Sequence, residues 1–166
     1  GRIVSRKEAH REGILHGTSQ IFIYRVKNGK VQILLQRRSL EKDSFPGKLD
    51  ISSAGHIPSG VSPDDNAVKE LEEELGLSVK KQQLHFVFIH RSEGINTFHG
   101  KVFNDRQVSY VYVLECDKEE DEFILQKSEL SQVIWQDADI TIDEIIKGNG
   151  EYCLDRWKFE KVTEII

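Results

Sequence analysis

Glu70, Glu73 and Glu74 stand at i, i+3 and i+4 in a segment with clear helix limits, so three carboxylates share one helix face. Like charges set that close repel. A chain that keeps them either leaves the face in water or neutralises it with a cation, and hard divalent cations with oxygen ligands are the usual neutraliser. Charged helix faces are common, so a solvated acidic face is the plain alternative.

The helix limits are local. Ser62 suits the N-cap, Pro63 the first helical position, and Asp64 and Asp65 the positive end of the dipole. Ala67, Val68, Leu71 and Leu75 form the apolar stripe, and Gly76 suits the left-handed residue after the helix end. That stripe places the carboxylates on or beside the face that is not core. A glycine-containing loop, Gly55-His56-Ile57-Pro58-Ser59-Gly60-Val61, leads into the helix.

Taken together, the loop and helix resemble the Nudix box of pyrophosphate-cleaving hydrolases. Gly55, Glu70, Leu71, Glu73, Glu74, Gly76 and Leu77 fall in register with it. Val61 stands where the box has its first Glu, and Lys69 replaces an Arg, which keeps the charge and loses the bidentate fork. The resemblance implies an α/β (α+β) Nudix fold, a mixed β-sheet sandwiched between α-helices. It also implies Mg²⁺ or Mn²⁺ as cofactor. Glu70, Glu73 and Glu74 are then the catalytic carboxylates, and they bind the metal with the Gly55 carbonyl.

The likeness extends upstream. Arg37-Arg38-Ser39-Leu40, Phe45-Pro46-Gly47 and the Gly55-His56 pair resemble the branch related to isopentenyl-diphosphate isomerase, as do His10 and His16. That branch implies a histidine metal site from His10, His16 and His56 with Glu74, and a further acidic ligand mapping near Gln107. It also implies Arg38 and Lys42 as the cations that grip the diphosphate. Arg37 and Arg38 are adjacent on an expected strand, so only one should face the site. Ala54 replaces a Cys that the isomerase needs, and Gln107 is neutral, which argues against isomerase activity.

Elsewhere, strands are expected over 19–26 and 31–37, joined at Asn28-Gly29, the strongest short hairpin signal. Further strands are expected over 50–54, 85–90, 107–115 and 133–135, and helices over 140–147 and 152–166, the last burying Trp157 and Phe159. Residues 91–106, with Gly94, Asn96 and Gly100, read as a substrate-selecting loop. Phe45 is expected to shape a pocket wall. Tyr110 and Tyr112 share a sheet face and read as core.

The chain has 166 residues, one domain's worth, and the expected domain runs over 1–166. A net charge of −5 argues against binding a nucleic-acid polymer but allows a small phosphorylated partner. No stretch is apolar enough for a membrane span, and the first residues lack a signal-peptide core. Cys116 and Cys153 have no metal-site spacing, which suits a reduced, cytoplasmic setting. The resemblance leaves a homodimer open. The functional expectation is Mg²⁺-dependent cleavage of a diphosphate linkage in a small organic or nucleoside diphosphate. The alternatives are an isopentenyl-diphosphate isomerase-like enzyme and a non-catalytic diphosphate-binding module.

Overall fold

Asn28 and Gly29 both take positive φ, 53° and 73°. That is the backbone a two-residue hairpin turn requires. They join β1 (His16–Lys27) to β2 (Lys30–Arg38) in antiparallel register, Lys27 opposite Lys30. The computed structural model describes residues 3–166; residues 1 and 2, the start of the expected domain, lie outside it.

β1 is the hub of the sheet. Its first half pairs with β4 (Ser53–His56) on one side and, in parallel, with β6 (Lys101–Glu115) on the other. Its second half turns to β2. β2 also pairs with β3 (Leu49–Asp50) and β7 (Leu130–Asp137), and β5 (His85–Phe98) closes the far edge against β6. The sheet is therefore mixed, with order β3-β2-β1-β6-β5.

Alternation along the strands builds a core on each face. Ile21, Ile23, Leu34, Tyr112 and Leu114 pack against Ala67, Leu71 and Leu75 of α2 (Pro63–Leu75). Phe22, Ile33, Leu35, Val111 and Val113 pack against Ala138 of α3 (Ala138–Ile146) and Phe159 and Val162 of α4 (Arg156–Ile165). Helices cover both faces, as the expected αβα sandwich requires. A short α1 (Arg6–Glu12) precedes β1. None of the described helices is long and apolar enough to cross a membrane.

Several expectations are corrected. Residues 91–106 are not a loop. They are the distal part of a hairpin whose strands stay in register out to Phe98 opposite Lys101, turning at His99 and Gly100, φ 51° and 72°. The glycine and asparagine there are tolerated because backbone pairing runs on through them from His90 to Phe98. The single strand expected over 50–54 is two short ones. The last helix starts at Arg156 because Asp155 caps it, its carboxylate accepting from Lys158 N at 2.9 Å. Phe159 is buried, but Trp157 is 49% exposed and stacks on His90, ring centroids 4.7 Å apart.

Candidate active site

α2 starts and stops where its end residues dictate. Ser62 Oγ accepts from Asp65 N, Pro63 opens the helix, and Gly76 closes it at φ 62°. This register gives the three carboxylates different surroundings. Glu73 is exposed and faces Lys69 at 3.7 Å. Glu70 is half-buried and lies against Gly55, where a Cβ would stand 2.2 Å from the Glu70 carboxyl carbon, so only glycine leaves it room. Glu74 is 4% exposed. The plain picture of a solvated acidic face therefore fails for Glu74, which turns inward next to Leu75 and Leu71.

Glu74 accepts from Ser53 Oγ at 3.2 Å and Gln36 Nε2 at 3.3 Å, and its carboxyl is hydrogen-bonded to that of Glu70. Burial, then the Glu70 charge, pushes it up to about 8. Burial raises Glu70 as well, against the hydrogen bond from Glu74. Without a cation the pair keeps a proton at neutral pH. Buried Asn66 donates to the Gly55 carbonyl at 3.3 Å and to Ser19 Oγ at 3.2 Å, tying the loop to the helix.

A second cluster forms beside it. Ser5 and Glu8 make a reciprocal capping box and Gly13, at φ 65°, ends α1. That fixes the helix so that His10 is buried between His16, at the start of β1, and His56, at the end of β4. The ring centroids lie 4.5 to 5.1 Å apart. One ligand atom from each falls within 4.8 Å of the others. Asp105 of β6 brings Oδ1 to 3.3 Å from both His10 Nε2 and His16 Nε2. Even so, His16 Nε2, His56 Nε2 and Asp105 Oδ1 are buried with no hydrogen-bond partner among the described residues. Buried polar atoms that converge without bonding suit a cation in their midst.

The electrostatics differ from ring to ring. Burial first, then the Arg6 charge, brings His56 down to about 3, so it is neutral. Burial would lower His16, but Asp105 and the Ile14 carbonyl raise it. His16 Nδ1 lies 2.9 Å from that carbonyl, which as an acceptor fixes the proton on Nδ1 of the neutral ring and leaves Nε2 its lone pair. Burial would raise Asp105, but His10 and His16 hold it below the usual carboxylate range. The acid beside the histidines is thus Asp105, not a group at Gln107. Gln107 pairs with His16 across the strands and donates to Asp105 Oδ2 at 3.0 Å. The two positions share a strand face, and that period of two was the available signal. Glu74 stands instead with Gln36, Ser53 and Glu70.

Both clusters open on one cavity of about 590 Å³, which Glu70, Glu73, Gly55, His10, His56, Asp105, Arg38 and Lys42 all line. Arg38 faces it and Arg37 turns away to the Gly47 carbonyl and Glu151. The Arg38 fork is held by Ser44 and by Asp50 Oδ2 at 3.1 Å, and the Lys42 ammonium by Glu129. Phe45, at φ 45°, forms part of the wall and meets Phe98 edge-on at 4.7 Å, and His99 Nε2 lies 3.0 Å from the Lys42 carbonyl. The tip of the β5–β6 hairpin therefore docks on the loop that carries Lys42 and Phe45. Arg6, Gln20 and Lys158 also line the cavity. No spacing pointed to them, because they come from three separate elements.

Comparison with known proteins adds kinship. The family model described as the NUDIX domain matches residues 17–152. An uncharacterized Nudix hydrolase of Clostridium acetobutylicum is 34% identical over 143 residues, 86% of this chain and 65% of that protein. Nudix hydrolase 3 of Arabidopsis thaliana is 42% identical over 130 residues, 77% of this chain but 16% of the relative. The chain thus spans less than two thirds of the length of either. Among solved structures, the NUDIX domain of Shewanella oneidensis NrtR, complexed with ADP ribose, superposes with TM-score 0.64 at 13% identity, covering 97% of this chain and 98% of that one. A binary complex of the C. elegans Ap4A hydrolase gives 0.55 at 19% identity, covering 90% and 96%. At those identities the two structures share the fold.

Proposed function

This chain belongs to the Nudix family, and on that premise we propose that it is a divalent-cation-dependent hydrolase of diphosphate linkages in small organic or nucleoside diphosphates. The observation that carries the reading is the Glu70–Glu74 pair: Glu74 is buried behind Glu70, and Glu70 lies against Gly55 on the cavity lining. Two carboxylates that share a proton in a desolvated place are stabilised by a doubly charged ion in that proton's stead.

In this reading Glu70 and Glu74 hold Mg²⁺ or Mn²⁺, and Glu73, now against Lys69, and the Gly55 carbonyl, now accepting from Asn66, stand at its margin. The ion, when bound, neutralises phosphate oxygens and acidifies a water. The chain's own work is placement. Gln36 and Ser53 orient Glu74, Asn66 orients the loop, and Arg38 and Lys42 shape the wall beside the substrate phosphates. His10, His16 and His56 with Asp105 suit a further divalent ion. His56 Nδ1 accepts from Arg6 Nε at 3.3 Å, which leaves the neutral ring's proton on Nε2, so an ion taken on that nitrogen requires Arg6 to move off. That relatives include an ADP-ribose-binding domain and an Ap4A hydrolase supports starting with nucleoside diphosphate linkages.

The test is a panel of ADP-ribose, diadenosine polyphosphates, nucleotide sugars and isoprenoid diphosphates with Mg²⁺ or Mn²⁺, scored by phosphate and pyrophosphate release. We expect metal-dependent turnover of at least one compound, reduced about 100-fold or more in Glu74→Gln with an unchanged circular dichroism spectrum. No turnover of any compound, or full activity in Glu74→Gln, overturns the reading. Isomerised isopentenyl diphosphate in place of released phosphate replaces it.

A further inference from the structure

Lys158 is a buried cation that the mechanism above leaves unused. α4 sets it on the cavity lining at 6% exposure, and its ammonium donates to Gln20 Oε1 at 2.7 Å. Gln20 lies between Thr18 and Phe22 on the cavity face of β1. An ammonium has three N–H donors, and a neutral carboxamide oxygen takes one.

Four cations line the cavity: Arg6, Arg38, Lys42 and Lys158. Three are matched by a carboxylate, Arg6 by Asp43, Arg38 by Asp50 and Lys42 by Glu129. Among the described residues Lys158 has no such ion pair. The acids whose charge reaches it are Asp155, Asp50 and Asp105. Each is committed: Asp155 to the α4 cap and His90, Asp50 to Arg38 and Ile51 N, Asp105 to the histidines. Burial lowers the Lys158 pKa, the mark of a charge short of compensation. Gln20 pairs with Ala54 and Thr18 with His56, so Gln20 stands two residues, about 7 Å of backbone, along β1 from the position opposite His56. Gln20, His56 and Lys158 all line the one cavity.

We propose that Lys158, steadied by Gln20, is the anion anchor of the cavity, a substrate-binding residue whose ammonium takes a phosphoryl oxygen of the diphosphate. This rests on the hydrolase reading for its ligand class but not for its test. Binding of methylenediphosphonate, which is not hydrolysed, is measured by calorimetry on the full chain in EDTA and in Mg²⁺. We expect Lys158→Met to weaken binding at least about tenfold in both conditions, with an unfolding midpoint equal to or above the parent's, since a desolvated charge is gone. Lys158→Gln carries the same expectation should the Met variant not fold. Unchanged affinity overturns the proposal. So does a lowered midpoint in both variants, which marks a structural lysine. A parent that binds no methylenediphosphonate yet turns over the substrate panel overturns the anchor and leaves the hydrolase reading standing.

Discussion

Glu74 shows how a residue's neighbours reverse its ordinary behaviour. A carboxyl usually ionised above pH 5 is pushed up to about 8, burial leading and Glu70 following. Its pKa is higher folded than unfolded. The metal-free fold therefore binds an extra proton, and the stability from that proton is present in full below the unfolded value of 4.5 and lost as pH rises through about 8. We expect the thermal midpoint in EDTA to fall between pH 5 and 8, and Glu74→Gln to flatten that slope because an amide does not titrate. Saturating Mg²⁺ should restore the parent's midpoint near pH 8. A parent slope equal to that of Glu74→Gln sinks the claim. His56 has the opposite sign: its folded value near 3 lies below the usual one, so its stabilising share is present above pH 6.5 and lost as pH falls toward 3.

Single elements carry the site because their ends are well defined. α2 begins at Ser62, whose hydroxyl accepts from Asp65 N at 3.3 Å and donates to Asp65 Oδ2 at 2.9 Å. Ser62→Ala removes an N-cap, which costs about 1 kcal/mol and should lower the midpoint by about 2–4 °C for a domain of this size. The carboxylates lie about two to three turns in, so metal-dependent turnover should persist within a few-fold. Loss of turnover without loss of stability contradicts this account of the helix as a rigid carrier. The β5–β6 hairpin makes the converse point. Its distal half is exposed, and Phe98 and His99 at its tip dock on the 42–45 loop. That contact spans more than fifty residues of sequence, out of reach of any local pattern.

At the scale of the molecule, α2 and α4 lie on opposite sheet faces with separate cores, but β1 feeds both, Ile21 and Ile23 on one side and Phe22 on the other. Because β1 is shared, we propose that the two faces unfold as one cooperative unit. Leu71→Ala should cost about 2–5 kcal/mol and Phe159→Ala about 3–5. Both should shift the same single denaturant transition. A second transition in either variant argues for two units.

Much of the fold was legible because its signals are local. Asn28-Gly29 dictates a turn that only small or polar residues accept. Ser62, Pro63 and Gly76 bound a helix whose stripe is plain, and alternation marks β1, β2 and β6. The acidic trio was legible for the same reason, since helical spacing alone brings it together. Only the tertiary structure decided that Glu74 is buried while Glu73 is solvated. It alone stood Asp105, not Gln107, beside the three histidines, and brought Lys158 from the last helix to the cavity lining. Burial and convergence are relations between distant segments. They arise when β1 gathers β4 and β6 around it, and no spacing along the chain encodes how close those segments come.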